Sequence, residues 1–80
     1  MKFSVTVTLK KDVLDPQGKV VQNTLFSLGI NNLKSVRQGK YFEIEIDEED
    51  ENIAQKKVNE MCKKLLANLI IEDFKINKLK

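Results

Sequence analysis

The 80-residue chain has no histidine and no tryptophan, one cysteine, one proline and three glycines. Each shortage closes off a class of chemistry. Without histidine there is no zinc constellation, and the lone Cys62 cannot form an internal disulfide. The scattered glycines make no phosphate-cradling cluster. Long apolar runs are also missing. The N-terminal "MKFSVTVTLKK" alternates apolar and polar residues, unlike the apolar core of a signal peptide, and no segment approaches the ~20 apolar residues of a membrane span. Charge of one sign is scarce: 14 basic and 12 acidic residues leave a net charge of +2. That supplies little of the electrostatic drive nucleic-acid binding needs. The absences together predict a cytoplasmic chain with neither a membrane nor a nucleic-acid partner. Its length suits a single domain over residues 1–80. A chain this short buries only roughly 60% of its unfolded surface, so self-association into a homodimer or larger assembly helps stabilise it.

What the chain does contain is clear periodicity. Phe3, Val5, Val7 and Leu9 alternate with Ser4, Thr6, Thr8 and Lys10, the mark of a strand with one buried face. Asp15 is a good helix N-cap and Pro16 fits the first helical position. Val21, Leu25 and Leu28 then form one apolar stripe, and Gly29 is placed to close the helix in the left-handed conformation. "LKSVRQ" (33–38) reads as a second strand, "GK" as a tight turn, and "YFEIEID" (41–47) as a third strand with Phe42, Ile44 and Ile46 on one face. The acidic run 47–51 suits a helix N-terminus. The helix after it carries Ala54, Val58, Met61, Cys62 and Leu65 on its apolar face, and Asn68 ends it. "LIIEDFKINKL" (69–79) supplies the last strand, with Ile70, Phe74 and Ile76 in one register. The order is βαββαβ. It predicts an α+β, ferredoxin-like split βαβ fold: a four-stranded antiparallel sheet with two helices on one face.

This scaffold carries many unrelated activities, so function rests on particular residues. RNA recognition on such a sheet needs aromatics on the open face. Phe3, Phe42 and Phe74 instead share register with the core, which leaves Tyr41 alone among Ser4, Thr6, Thr8, Glu43 and Glu45. Small metal-binding domains of this topology place a Cys-x-x-Cys loop after the first strand, where this chain has "VLDPQG". Cys62 sits on an apolar helix face, where a thiol packs and does not react. Glu43, Glu45 and Asp47 read as a solvated or subunit-facing strand face. No residue set unites a nucleophile, a base and an orienting group, so no catalytic, cofactor or metal site is expected in this chain. Four residues remain as candidate partner contacts. Arg37 and Lys40 flank the expected turn at Gly39, where two cations suit a partner's carboxylates or phosphate. Val20 and Phe26 lie off the apolar stripe of the first helix and suit an apolar rim covered by another chain.

"VTLKKDVLDPQGKVVQNTLFSLG", "SVRQGKYFEIEI" and "CKKLLANLIIEDFKI" together resemble the PurS family, the small subunit of phosphoribosylformylglycinamidine synthase. The likeness spans nearly the whole chain in order and spacing. "LDPQG", "VRQGK" and "LLANxxIED" are specific when they occur together. One departure is Leu69, where the family commonly has proline; the turn into the last strand is therefore less constrained. The resemblance implies an accessory role in purine biosynthesis. The family's complex converts formylglycinamide ribonucleotide, ATP and glutamine into formylglycinamidine ribonucleotide, ADP, phosphate and glutamate. It also implies a glutaminase subunit that releases ammonia, a large synthetase subunit that holds ATP and magnesium, and a small subunit that joins them and self-associates. An ACT-like regulatory domain that binds an amino-acid effector shares the topology and an Asp–Pro–Gly-like loop after the first strand. Such modules are usually fused to an enzyme, and this chain shows no leftover linker.

Overall fold

The computed structural model describes residues 1–79. The alternating N-terminal stretch forms strand β1 (Lys2–Leu9), with Phe3, Val5 and Val7 fully buried on one face. β1 is the centre of a three-stranded sheet, between β2 (Gly39–Glu45) and β3 (Glu72–Lys78), and pairs antiparallel with both. Directly paired residues share a face. Val5 is therefore flanked by Phe42 and Ile76, and Phe3 by Ile44 on the β2 side. The opposite face carries Thr6 between Tyr41 and Lys75, and Ser4 between Glu43 and Asn77. It is polar, as the alternation predicts, and Tyr41 is its one aromatic ring among the described residues.

One helix covers the apolar face. Helix α2 (Glu51–Met61) begins at Asp50, whose side chain accepts hydrogen bonds from the Asn52 N–H at 2.9 Å and the Ile53 N–H at 3.3 Å. Ala54, Val58 and Cys62 recur every fourth residue and complete the core with Phe3, Val5, Val7 and Ala67. Lys78 at the end of β3 holds Glu51 at 2.7 Å, fixing the start of the helix to the sheet. Cys62 has no exposed surface, and burial pushes its thiol above the ordinary value; it is a packing residue. Met61 and Leu65 do not join it. From Cys62 to Leu66 the helix widens into a π turn, closed by the Ala67 N–H donating to the Cys62 carbonyl at 2.9 Å. The looser winding leaves Leu65 83% exposed and packs Leu66 against the core instead. Along this helix Glu60 pairs with Lys64, one turn on, at 3.8 Å with both side chains exposed.

Helix α1 (Pro16–Ser27) starts and stops as its sequence dictates. Asp15 is the N-cap and Pro16 takes the first helical position. At the other end Gly29 adopts φ 95°, while its N–H reaches the Phe26 carbonyl and the Ile30 N–H reaches the Leu25 carbonyl. That pair of bonds is a Schellman closure, and the left-handed residue within it favours glycine.

Two tertiary expectations are corrected. The sheet has three strands, not four: residues 33–38 form no strand, and Gly39 and Lys40 form no turn. The ladder runs through both of them, pairing Lys40 with Val7 and Gly39 with Thr8, so a hairpin has no room to reverse. Gly39 is needed for close approach, since a Cβ there would strike the Val7 carbonyl oxygen. Nor do both helices cover one face. α1 contributes no residue to the core, and Gly18 is its one buried position. Val21 and Leu28, expected inside, are exposed. The radius of gyration is 16.0 Å, against about 12 Å for a compact chain of this length. α1 is an arm beside the sheet.

The turn between α2 and β3 is built on Asn68. Its carbonyl accepts from the Ile71 N–H at 3.1 Å and the Glu72 N–H at 2.7 Å, and its side chain accepts from the Ile70 N–H at 3.1 Å. Leu69 occupies the second position of this turn, where proline's fixed φ is favoured. Leu69→Pro should therefore raise stability by about 0.4–1 kcal/mol, chiefly by restricting the unfolded chain. Urea unfolding with an unchanged m-value is the measurement.

Candidate functional site

Three sequence motifs far apart in the chain meet at one end of the sheet, where β1 finishes and β2 and β3 begin. Asp15 of "LDPQG" uses both carboxylate oxygens. Oδ1 accepts the Gly18 N–H at 2.9 Å and caps α1; Oδ2 accepts the Gln38 N–H at 2.8 Å, just before β2. The Gln38 amide first, then the Gly18 amide, holds the carboxyl below its ordinary value of 3.8, with the Arg37 charge assisting and partial desolvation opposing. Gly18 is required for this closeness. A Cβ there would lie 2.6 Å from Asp15 Oδ2 and 2.7 Å from the Val36 carbonyl oxygen.

Arg37 of "VRQGK" folds back over the end of β1. Its guanidinium donates to the carbonyl oxygens of Leu9 at 3.1 Å and Lys10 at 2.9 Å. Lys40, expected at a hairpin tip, sits inside β2 beside Val7 on the face that carries the core. Its ammonium lies 3.6 Å from Glu72 Oε2 across β1. Glu72 belongs to the third motif. Its side chain is only 12% exposed, and its other oxygen accepts the Asn68 N–H at 2.7 Å. The Lys10 N–H donates to the Ile71 carbonyl at 2.8 Å, and its ammonium lies 3.7 Å from Asp73, closing the ring of contacts.

Two open cavities flank this junction. One, of about 190 Å³, is lined by Val7, Leu9, Gln17, Gln38, Lys40 and Glu72, with Asp15 at its edge. The other, of about 440 Å³, lies over the loop before α1, with Lys11, Lys19, Gln22, Ser35 and Arg37 in its wall. Neither contains a cysteine, a histidine or a paired nucleophile and base. Among the described residues no group of three His, Cys, Asp or Glu side chains is placed to hold a metal ion. The arrangement ties segments together and holds charge.

The four candidate contacts do not form one patch. Arg37 and Lys40 belong to the junction. Val20, 65% exposed, lies in a shallow apolar groove with Pro16 and Val21, next to Gln38. Phe26, 38% exposed, sits outside that groove; six residues on from Val20, it points about 240° round the helix. Sequence reading missed Glu72 and the second bond of Asp15. The Asp–Pro–x–Gly spacing announces a cap, but nothing local announces an amide from another segment.

Two outcomes follow from this geometry. Arg37→Ala removes two hydrogen bonds to exposed carbonyls and should cost about 1 kcal/mol in urea unfolding. Asp15 has a depressed folded pKa, so its contribution is complete above the unfolded value and is lost as pH falls through the lower folded one. The stability gap between wild type and Asp15→Asn should therefore be widest at neutral pH and close below pH 3.8, as unfolding curves across the acid range will show.

The geometry agrees with what known proteins share with this chain. The sequence model for "PurS: Phosphoribosylformylglycinamidine (FGAM) synthase" matches residues 2–80. The Bacillus subtilis phosphoribosylformylglycinamidine synthase subunit PurS is 49% identical over 74 residues, covering 92% of this chain and 87% of its own. The Methanocaldococcus jannaschii PurS structure is described as one of the subunits of formylglycinamide ribonucleotide amidotransferase in the purine biosynthetic pathway. It superposes with a TM-score of 0.83 at 46% identity, over 99% of this chain and 98% of that one. A chain in the structure of PurLQS from Thermotoga maritima superposes with a TM-score of 0.90 at 28% identity, over 98% and 95% of the two chains. With the family's pattern running from the second residue to the last, and its three motifs gathered at one end of the sheet, the chain belongs to the PurS family of phosphoribosylformylglycinamidine synthase.

Proposed function

We propose that this synthase subunit works by assembly: it joins a glutaminase subunit to a large synthetase subunit and assists the passage of ammonia between them. The likeness to a chain of PurLQS carries the reading. Conversion of formylglycinamide ribonucleotide, ATP and glutamine into formylglycinamidine ribonucleotide, ADP, phosphate and glutamate is then the work of the whole complex. ATP and magnesium sit on the large subunit, and this chain holds no active site of its own. One feature supports that division of labour: the polar side chains at the sheet end, Asp15, Arg37 and Glu72, are engaged in hydrogen bonds that tie the chain's own segments together. No helix among the described residues is long and apolar enough to cross a membrane. The complex works in the cytoplasm.

Self-association belongs to the same proposal, with a second copy of the chain over α1. The arm exposes Val20, Val21 and Leu28, with Leu28 72% exposed, and gives nothing to its own core. Apolar surface left uncovered in this way is the ordinary mark of an interface. β2 and β3 are both edge strands, each with one side unpaired. A fourth strand at 33–38 would then form against another chain's edge, once assembly supplies one.

Reconstitution tests the reading. The chain should capture the synthetase and glutaminase subunits and restore glutamine-dependent formation of formylglycinamidine ribonucleotide, while showing no glutaminase, ATPase or ligase activity alone. Light scattering at micromolar concentration should give a dimer or larger, and Val20→Asp with Leu28→Asp should reduce it towards monomer. Calorimetric binding of a free amino acid, with no capture of either subunit, would favour an effector-binding module instead.

A further inference from the structure

α1 is a helix with its apolar side uncovered and no residue in the core, so its direction must be set by something other than burial. Few contacts are available to set it. The Schellman closure at its C-terminus lies within the helix and the residues directly after it. At the N-terminus the Gly18 backbone lies against the Val36 carbonyl, and the Asp15 carboxylate holds the Gly18 and Gln38 amides at once. Gln38 leads directly into β2, whose next residue is already paired with Thr8 of the central strand. One side chain therefore links the first turn of the arm to the sheet.

We infer that Asp15 is a positioning residue for assembly: by bonding both amides it aims α1, and so fixes how the arm meets a second copy of this chain. The inference rests on the proposed cover of α1 by that second copy. Capping alone does not need a carboxylate, because an asparagine or serine oxygen accepts the Gly18 N–H equally well. The link to Gln38 does need one, because a carboxylate has two acceptor oxygens and an amide has one. Asp15→Asn thus keeps the cap and breaks the bond between arm and sheet. Replacing the oxygen that faces Gln38 by an NH2 group also sets two donors face to face.

The experiment compares wild type with Asp15→Asn by circular dichroism, amide hydrogen exchange and sedimentation. Helix content should be unchanged, exchange at the Gln38 amide should accelerate, and self-association should weaken roughly tenfold or more, the factor expected for losing one charge-assisted bond. A short bis-thiol crosslink between Gln17→Cys and Gln38→Cys, which line the same cavity, should restore association in the Asp15→Asn background. A role confined to capping predicts no such rescue. Unchanged association of Asp15→Asn overturns the inference, as does loss of helix content in that variant or failure of the crosslink to rescue. A wild-type chain that stays monomeric would instead refute the self-association on which it rests.

Discussion

β1 hydrogen-bonds along both of its edges, and every other part of the molecule is placed with respect to it. Its Phe3, Val5 and Val7 carry the core, and α2 covers them with Ala54, Val58 and Cys62. β2 and β3 each keep a free outer edge, but residues 33–38 run straight into β2 at Gly39 with no turn that would let them pair back on it. The remaining segments settle instead around the end of the sheet where β1 finishes. This is why the loop after β1, the stretch before β2 and the turn before β3 converge on the same few ångströms of backbone at Leu9 and Lys10.

The junction stabilises by direction more than by burial. Its bonds run from side chains to backbone amides and carbonyls: Asp15 to Gly18 and Gln38, Arg37 to Leu9 and Lys10, Glu72 to Asn68. Such bonds are individually modest, but each demands a specific angle and distance. They suit a small protein whose surface has to be presented in one shape. The same economy explains "LDPQG". Aspartate supplies two acceptors, proline starts the helix, and glycine lets the Val36 carbonyl come close.

Much of this was legible in the sequence wherever the signal is local. Period-two alternation gave β1, and the Asp–Pro start with the Gly29 stop marked both ends of α1, because capping chemistry lies within a few residues of where it acts. The acidic run before α2 and the packing of Cys62 were legible for the same reason. Apart from Met61 and Leu65, displaced by the local π turn, the misreadings depended on distant partners. Whether 33–38 becomes a strand depends on which edges are free. Gly39 looks like a turn glycine until the Val7 carbonyl is brought against it. A stripe such as Val21–Leu25–Leu28 announces a surface to be covered without saying whose. Of the site residues, Arg37 and Lys40 were recognised by charge and position, but their contacts with Leu9, Lys10 and Glu72 come from folding.

The pairing of Lys40 with Glu72 also bears on what the chain avoids. Both side chains stand on the core-bearing side of the sheet, beside Val7 and Leu9, beyond the residues that α2 covers. A helix closing over that end from within the same chain would strip water from the Lys40 ammonium, whose side chain is still more than half exposed, at a cost set against its attraction to Glu72. Glu72 is already mostly enclosed and held by Asn68, so it cannot simply turn away. An arm that stays off this end of its own sheet avoids that desolvation cost.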